Sequence, residues 1–350
     1  MRCYHLFLVI CLVALPAIPA VSASGHAAYE FVTAWGTPGD GEGEFFGPYG
    51  IAADDAGSLY IADESNFRIQ KFDATGTFIT MWGREGAGEG EFELPTGVAT
   101  GPSGAVYVVD NYNHRVQVFD AEGGFLSTWG SYGTEEGQFT LPTDIAIGPS
   151  GDVYVNDYAN YRIQRFDPSG TFISSWGSEG TGPGQFLYAE GIAAGPDGSI
   201  YVTDTQNNRT QKFDPAGTFL LAWGSEGSGD GEFLYPVGIA VDTEGFVYIA
   251  DWGNDRIQKF DGAGTFIAAW GSTGTRPGEF TGPTGITVDT EGNVYVTEWA
   301  GSRVQKFAPA APTGPTTVPP TTPPVGIPLA AGGIAGVILA MALLGHRREQ

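Results

Sequence analysis

The stretch GIAVDTEGFVYIADWGNDRIQKFDGAGTFIAAWG, residues 238–271, decides the fold, because versions of it recur along the chain at a fixed interval. A Trp-Gly pair ends the stretch, and successive pairs lie 47 residues apart with no insertion or deletion. A fixed period of this length is typical of repeat architectures. The six tryptophans are Trp35, Trp82, Trp129, Trp176, Trp223 and Trp270.

Each repeat predicts four short strands. In the copy that begins at Gly50, short apolar segments alternate with turns that contain Gly, Asp, Ser or Asn, which indicates an antiparallel meander. The first Trp-Gly pair precedes any full repeat, whereas the last copy, 285–307, lacks its fourth strand. We therefore expect an all-β, six-bladed β-propeller of four-stranded antiparallel blades, whose N-terminal strand (31–35) completes the last blade.

The repeats resemble the NHL repeat family. The resemblance is carried by the strand Tyr107-Val108-Val109-Asp110, by NYRIQRF at 160–166, and by a Trp-Gly-x-x-Gly loop that ends in Phe. It covers about residues 30–307 in six consecutive copies. The family implies a six-bladed propeller but no single function, because a fold does not fix a function.

The two ends of the chain predict export and anchoring. Residues 1–23 have a basic start, an apolar run and small residues before Ser24, as in a signal peptide. The propeller is expected at 24–307 and a Pro/Thr-rich stalk at 308–324. An uncharged apolar run at 325–345 predicts a transmembrane helix, and the basic tail at 346–350 is then cytoplasmic. We expect a single-pass protein with its propeller at the cell surface, or a secreted one if the helix is removed.

Composition excludes several classes of function. The net charge of the 350-residue chain is -24, which argues against nucleic acid as a partner, because phosphate recognition depends on Lys and Arg. Both cysteines, Cys3 and Cys11, lie in the predicted signal peptide, so the mature chain would have neither a disulfide nor a catalytic thiolate. Only His26 and His114 lie outside the terminal segments, too few for a three-histidine zinc centre.

Residues that recur in every blade are expected to build the blades. A carboxylate precedes an arginine by five residues, and we expect this pair to tie the second strand of each blade to the third. The position two before the arginine is Asn in five blades and Gly301 in the sixth, which predicts a left-handed residue in that turn. The pairs are Asp63 and Arg68, Asp110 and Arg115, Asp157 and Arg162, Asp204 and Arg209, Asp251 and Arg256, and Glu298 and Arg303.

A binding site, by contrast, should break the symmetry of the repeats. One face of a propeller collects the turns between the second and third strands and the starts of the innermost strands, and these positions vary here. Asp144 replaces a glycine found in the other five blades, and Glu190 lies in the neighbouring blade. Aromatic side chains beside carboxylates suit a sugar, a peptide or a cationic group. The predicted ligand-binding residues are Tyr49, Tyr112, Asp144, Tyr158, Glu190, Trp252 and Trp299.

These features favour a non-enzymatic scaffold that binds an extracellular protein, peptide or glycan, with no cofactor. The alternative is a lyase-like or calcium-dependent lactonase-like propeller enzyme with its site at the channel mouth. If a metal such as Ca²⁺ binds, Asp144 and Glu190 are the candidate ligands. Asn208-Arg209-Thr210 is also a sequon for N-glycosylation.

Overall fold

The protein is a six-bladed β-propeller. The computed structural model describes residues 29–310, which form six four-stranded antiparallel sheets. Within this range no helix is long and apolar enough to cross a membrane. The predicted signal peptide, transmembrane helix and tail, and all but the first residues of the predicted stalk, lie outside the described residues. The fold prediction is therefore confirmed for the propeller.

The strands follow the 47-residue repeat, and each blade runs from its innermost strand to its outermost strand in chain order. Blade 1 is β2 Pro48–Ala53, β3 Leu59–Asp63, β4 Arg68–Phe72 and β5 Phe78–Trp82. Blade 2 is β6 Pro95–Thr100, β7 Val106–Asp110, β8 Arg115–Phe119 and β9 Phe125–Trp129. Blade 3 is β10 Pro142–Ile147, β11 Val153–Asp157, β12 Arg162–Phe166 and β13 Phe172–Trp176.

The second half of the ring repeats the pattern, with one shorter inner strand. Blade 4 is β14 Ile192–Ala194, β15 Ile200–Asp204, β16 Arg209–Phe213 and β17 Phe219–Trp223. Blade 5 is β18 Pro236–Val241, β19 Val247–Asp251, β20 Arg256–Phe260 and β21 Phe266–Trp270. Blade 6 is β22 Pro283–Val288, β23 Val294–Glu298, β24 Arg303–Pro309 and, as its outermost strand, β1 Tyr29–Trp35.

The first strand closes the ring, as the sequence predicts. β1 pairs antiparallel with β24 from Tyr29 opposite Pro309 to Trp35 opposite Val304. The ring of Tyr29 also stacks on Trp270 of blade 5, with the ring centroids 4.5 Å apart. Closure pairs an edge that an open ring would leave exposed, and it needs no covalent bond.

Phenylalanines from the crossover loops fill the spaces between blades. Phe45 is fully buried and packs with Phe72 of blade 1 and with Tyr295 and Val304 of blade 6. Burying such a side chain stabilises the fold by about 1.5–3 kcal/mol. The same position is buried at each of the six interfaces, in Phe45, Phe92, Phe139, Phe186, Phe233 and Phe280.

A buried ion pair joins each crossover loop to its blade. In blade 1 the Arg68 Nε donates to the Oδ2 of Asp63 at 2.7 Å, and Asp63 is fully buried. The Arg68 guanidinium also donates to the carbonyl oxygens of Gly41 and Glu44, which precede the blade. The pair therefore fixes the loop as well as the turn between the second and third strands. The same pairing recurs in every blade, with Glu298 and Arg303 in blade 6.

The predicted left-handed residue was placed one position too early. Phe67, directly before the arginine, has φ of 56°, and it ends a short 3₁₀ turn over Glu64–Asn66. Asn66 instead donates its amide to Asp63 Oδ2 and to the carbonyl of Gly39, both at 2.9 Å. The asparagine is thus selected for hydrogen bonding, and not for its tolerance of positive φ.

Blade 6 shows why glycine replaces this asparagine once. Its carboxylate is Glu298, one methylene longer than the aspartate of the other blades. A Cβ atom at Gly301 would lie 2.8 Å from Glu298 Oε2, too close for any side chain. The longer carboxylate therefore occupies the space of the asparagine, and the two positions change together.

Candidate functional site

One face of the propeller carries a cavity that we call the mouth. The turns after each second strand lie beside the start of the innermost strand, because residues such as Pro48 and Asp63 pair across the sheet. The cavity has a volume of about 410 Å³, within the range of small-molecule sites. Its lining residues are Tyr49, Tyr158, Glu190, Thr205, Gln206, Tyr235, Val237, Trp252, Thr284 and Trp299.

Most of the predicted ligand-binding residues meet at this mouth. They come from different blades, and they are Tyr49, Tyr158, Glu190, Trp252 and Trp299. Tyr112 does not line the mouth, and its side chain is 53% exposed. Tyr235 also lines the mouth, and the sequence interpretation did not include it. The signal was available, since Tyr235 directly precedes the proline that starts an inner strand.

Asp144 lies below the mouth, in the central channel. The six innermost strands line a cavity of about 180 Å³ there. Tyr49, Glu190, Val237 and Thr284 line both this cavity and the mouth, so the two spaces adjoin each other. Asp144 lines the channel cavity and not the mouth itself.

At the equivalent glycines Gly50 and Gly238, backbone of the next blade fills the space that the Asp144 side chain occupies in blade 3. A Cβ atom at Gly50 would lie 2.3 Å from the carbonyl oxygen of Thr96, and one at Gly238 would lie 2.0 Å from that of Thr284. At the interface after Asp144, the next inner strand starts only at Ile192 and has three residues, where the others have six. The Ile192 amide donates to Asp144 Oδ2 at 3.0 Å, so the carboxylate links blade 3 to the inner strand of blade 4.

Hydrogen bonds hold two further carboxylates in place, those of Glu190 and Glu64. The Tyr49 hydroxyl donates to Glu190 Oε2 at 2.5 Å across the ring, from blade 1 to blade 4. Trp299 Nε1 donates to Glu64 Oε2 at 2.8 Å. Within residues 29–310 none of Asp144, Glu190 and Glu64 has a basic partner within ion-pair distance.

The channel walls make proton exchange possible near neutral pH. Desolvation by the surrounding strands raises the pKa of Asp144 to about 7, although the Ile192 amide opposes the rise. Desolvation also raises the pKa of Glu190, while its hydrogen bond from Tyr49 lowers it. A group with a pKa near the working pH is suited to general acid–base catalysis.

The raised pKa of Asp144 predicts a pH-dependent stability. The unfolded side chain ionises near 3.8 and the folded one near 7, so the stabilising contribution of this group is fully present below about pH 3.8 and is lost as pH rises from there through 7. A shift of this size corresponds to about 4 kcal/mol at most, and we expect a loss of about 2 kcal/mol because Asp144 is partly exposed.

Urea unfolding of the wild type and of Asp144→Asn between pH 4 and 8 would test this prediction. The difference between the two proteins isolates Asp144 from the other carboxylates. The wild type should lose stability relative to the variant as pH rises. Parallel curves would mean that Asp144 ionises at its ordinary pKa.

The residues present do not form a calcium site. Ca²⁺ takes about six to eight oxygen ligands. In the described part of the chain, no three His, Cys, Asp or Glu side chains converge on one point. Asp144 and Glu190 each already accept a hydrogen bond, from Ile192 and Tyr49. No chemical step is therefore assigned to a metal.

His114 is the one histidine within residues 29–310, and it does not line the mouth. Its Nδ1 accepts a hydrogen bond from the Leu141 amide at 3.1 Å, and its ring packs on Tyr132. Partial burial lowers the pKa of His114, which favours the neutral ring. We assign it a structural role in the crossover.

The sequon at Asn208 lies in a poor position for a glycan. The Asn208 side chain is 8% exposed, and its Oδ1 accepts a hydrogen bond from the Tyr235 amide at 2.8 Å. Thr210 of the same sequon is fully buried. The side chain of Asn208 is thus engaged in the folded blade, and its glycosylation stays a prediction.

Solved structures with the same architecture include several enzymes. A streptogramin B lyase is 18% identical, covers 76% of this chain and 94% of its own, and has a TM-score of 0.52. A catalytically inactive histidine-to-alanine variant of virginiamycin B lyase from Staphylococcus aureus, solved with quinupristin, is 15% identical over 78% and 82%, with a TM-score of 0.54. A gluconolactonase from Xanthomonas campestris is 15% identical over 77% and 88%, with a TM-score of 0.59. At these identities the likeness shows the fold alone.

The family assignment rests on the chain's own sequence. No curated protein matches significantly. The NHL-like motifs correctly imply the six-bladed propeller, but the family model that matches has a different name. It describes the virginiamycin B lyase family and matches residues 42–341, which include most of the ring. The chain belongs to the virginiamycin B lyase family.

Proposed function

We propose that the protein is an enzyme that opens a lactone or a related cyclic ester at the mouth, by acid–base catalysis. Membership of a lyase family and likeness to a gluconolactonase support this alternative over the non-enzymatic scaffold. The observation that carries the proposal is Asp144, a carboxylate with a pKa of about 7 placed in the channel below a small-molecule cavity.

Asp144 is the group proposed to transfer the proton. In an elimination, it would take a proton from carbon, the C–H electrons would form a double bond, and the C–O bond would break. In a hydrolysis, it would take a proton from water, which adds to the carbonyl carbon before the ester C–O bond breaks. Both reactions need the ionised carboxylate. With a pKa of about 7, about half of the groups are ionised at neutral pH, and each is a stronger base than an ordinary carboxylate.

Glu190 and Tyr49 are proposed to bind the substrate. Desolvation and the nearby Glu190 hold the pKa of Tyr49 well above its usual range, so its hydroxyl remains protonated and can donate. Their hydrogen bond fixes both side chains at the boundary between mouth and channel. A substrate that fills the mouth would be oriented over Asp144 by this pair.

Among residues 29–310 no histidine lines the mouth. The virginiamycin B lyase from Staphylococcus aureus is catalytically inactive when one of its histidines is replaced by alanine. Here the single histidine of the described region, His114, lies outside the mouth. We therefore propose that a carboxylate, and not a histidine, transfers the proton. A substrate that differs from those of the named relatives is compatible with this difference.

A binding module without catalysis is the second candidate. It is favoured by the aromatic side chains at the mouth, which include Tyr158, Tyr235, Trp252 and Trp299. Aromatic rings supply much contact area at low entropic cost and are common in recognition surfaces. This candidate predicts saturable binding without conversion of the ligand.

A product analysis separates these possibilities. The purified full-length chain would be incubated with virginiamycin B, with quinupristin and with a gluconolactone, beside samples that contain no protein. Elimination opens a ring without a change in mass, whereas hydrolysis adds the mass of one water. We expect one of these products, formed at least about tenfold faster with the wild type than with Asp144→Asn. Binding of a ligand without conversion of any would contradict the enzyme proposal.

A further inference from the structure

The mouth combines aromatic walls with uncompensated acidic groups. Its lining includes five aromatic side chains and Glu190, and it contains no Lys, Arg or His. Glu64 lies beside it, bonded to the indole of Trp299. The arginine that recurs in each blade is paired with its own carboxylate. Within residues 29–310, the mouth therefore has acidic side chains and no basic side chain beside them.

We propose that the mouth binds an organic cation, an alkylated ammonium group carried by the substrate, between the indoles of Trp252 and Trp299 and the carboxylate of Glu190. The inference names a substrate class for the proposed enzyme and in that respect rests on the proposed function. It concerns a small molecule, because the cavity of about 410 Å³ is of small-molecule size.

Close packing holds the two indoles at the mouth. A Cβ atom at Gly47 would lie 2.6 Å from Trp299 Nε1, and one at Gly282 would lie 3.0 Å from Trp252 Nε1. The equivalent left-handed positions of the other four blades are occupied by Leu94, Leu141, Tyr188 and Tyr235, so the backbone alone does not require glycine. Glycine occurs where an indole covers the loop.

The indoles nevertheless remain available to a ligand. Trp252 and Trp299 are each 42% exposed, whereas the six tryptophans of the Trp-Gly pairs are partly buried. Their positions in the repeat are those of Glu64, Tyr158 and Thr205 in other blades, so no blade needs a tryptophan there. Two ordered and partly exposed indoles at one cavity form an exposed apolar surface, which is typical of a ligand-binding site.

The acidic side chains and aromatic rings around the mouth favour a cation as that ligand. A cation near an aromatic face within about 6 Å is attracted by the ring quadrupole, and tryptophan gives the strongest attraction. Glu190 and Glu64 add direct electrostatic attraction, and the chain's net charge of -24 raises the local concentration of cations. A metal ion would need a set of oxygen ligands that is missing here, whereas an alkylated ammonium group needs apolar faces and a nearby negative charge.

Binding of choline to the full-length protein, measured by titration calorimetry, tests the proposal. The matched probe is the neutral alcohol in which carbon replaces the nitrogen of choline, because the two molecules share shape and differ in charge. We expect choline to bind at least about tenfold more tightly than the alcohol. Trp252→Leu and Glu190→Gln should each weaken choline binding by about tenfold, and Trp252→Phe should weaken it less.

Tyr112→Leu is the control, because Tyr112 is exposed outside the mouth and its loss should leave choline binding unchanged. Equal binding of choline and the alcohol, no binding of choline, or indifference to Trp252→Leu in a folded protein would overturn the proposal. The result is independent of turnover. Conversion of a lactone without choline binding would refute the cation site alone, and choline binding without conversion of any lactone would refute the enzyme alone.

Discussion

Asp157→Ala is expected to lower the free energy of unfolding by about 4 kcal/mol, because it leaves a buried arginine without its partner. Asp157 is fully buried. It accepts hydrogen bonds from the Thr140 amide at 2.8 Å, from Arg162 Nε at 2.7 Å and from Gln164 Nε2 at 3.1 Å. Alanine removes these bonds together and strands several donors in the interior. Chemical unfolding of the variant and the wild type would measure the loss.

Blade 6 supplies the matched control for this prediction. The double variant Asp157→Glu with Asn160→Gly reproduces the Glu298 and Gly301 pair of blade 6 in blade 3. We expect it to retain stability within about 1 kcal/mol of the wild type. Asp157→Glu alone should be less stable than the double variant, since the longer carboxylate meets Asn160. An alanine variant as stable as the wild type would show that the ion pair does not hold the loop.

Asp144→Asn is expected to reduce kcat by about 10²- to 10⁴-fold with little change in KM, because it removes the proposed proton acceptor and preserves its shape. Glu190→Gln should act differently and mainly raise KM, since Glu190 is proposed to bind the substrate. Steady-state kinetics on whichever lactone is converted would separate the two effects. The reverse assignment of kcat and KM effects would mean that the two carboxylates exchange roles.

Asp144→Gly is the structural control, because glycine occupies this position in the other five blades. The variant restores the repeat and removes a desolvated carboxyl group, but it also removes the acceptor of the Ile192 amide, so we expect a stability close to that of the wild type. Its activity should nevertheless be lost to the same extent as in Asp144→Asn. An inactive protein of full stability would show that Asp144 is kept for chemistry, whereas an active one would show that it is not needed.

The sequence was sufficient for the fold because the repeat is strict. The spacing of Trp35 to Trp270 gave the number of blades, and the incomplete first and last copies gave the closure by β1. The symmetry argument also placed Asp144 and Glu190 near the channel, because a residue that departs from a repeat is visible without any structure. Local sequence patterns are reliable here because every blade is built from the same series of strands and turns.

The site was less accessible to sequence analysis because its contacts are distant along the chain. The Tyr49–Glu190 hydrogen bond joins blade 1 to blade 4 across the ring, which no local pattern reports. The hydrogen bond that holds the buried Asn208 comes from a crossover loop 27 residues further along the chain. The left-handed residue was predicted at Asn66 because asparagine is common at positive φ in turns. The Asn66 amide instead donates to Asp63, and Phe67 has the positive φ.

The most direct test of the central claim is the pH dependence of kcat/KM, which reports the pKa values of the free enzyme, for the wild type and for Asp144→Asn on the lactone that the wild type converts. The account predicts that the wild-type rate rises with pH through an apparent pKa of about 7, as Asp144 ionises, and that this rise is absent from the residual activity of the variant. The same rise in both proteins, or equal rates in both, would contradict catalysis by Asp144.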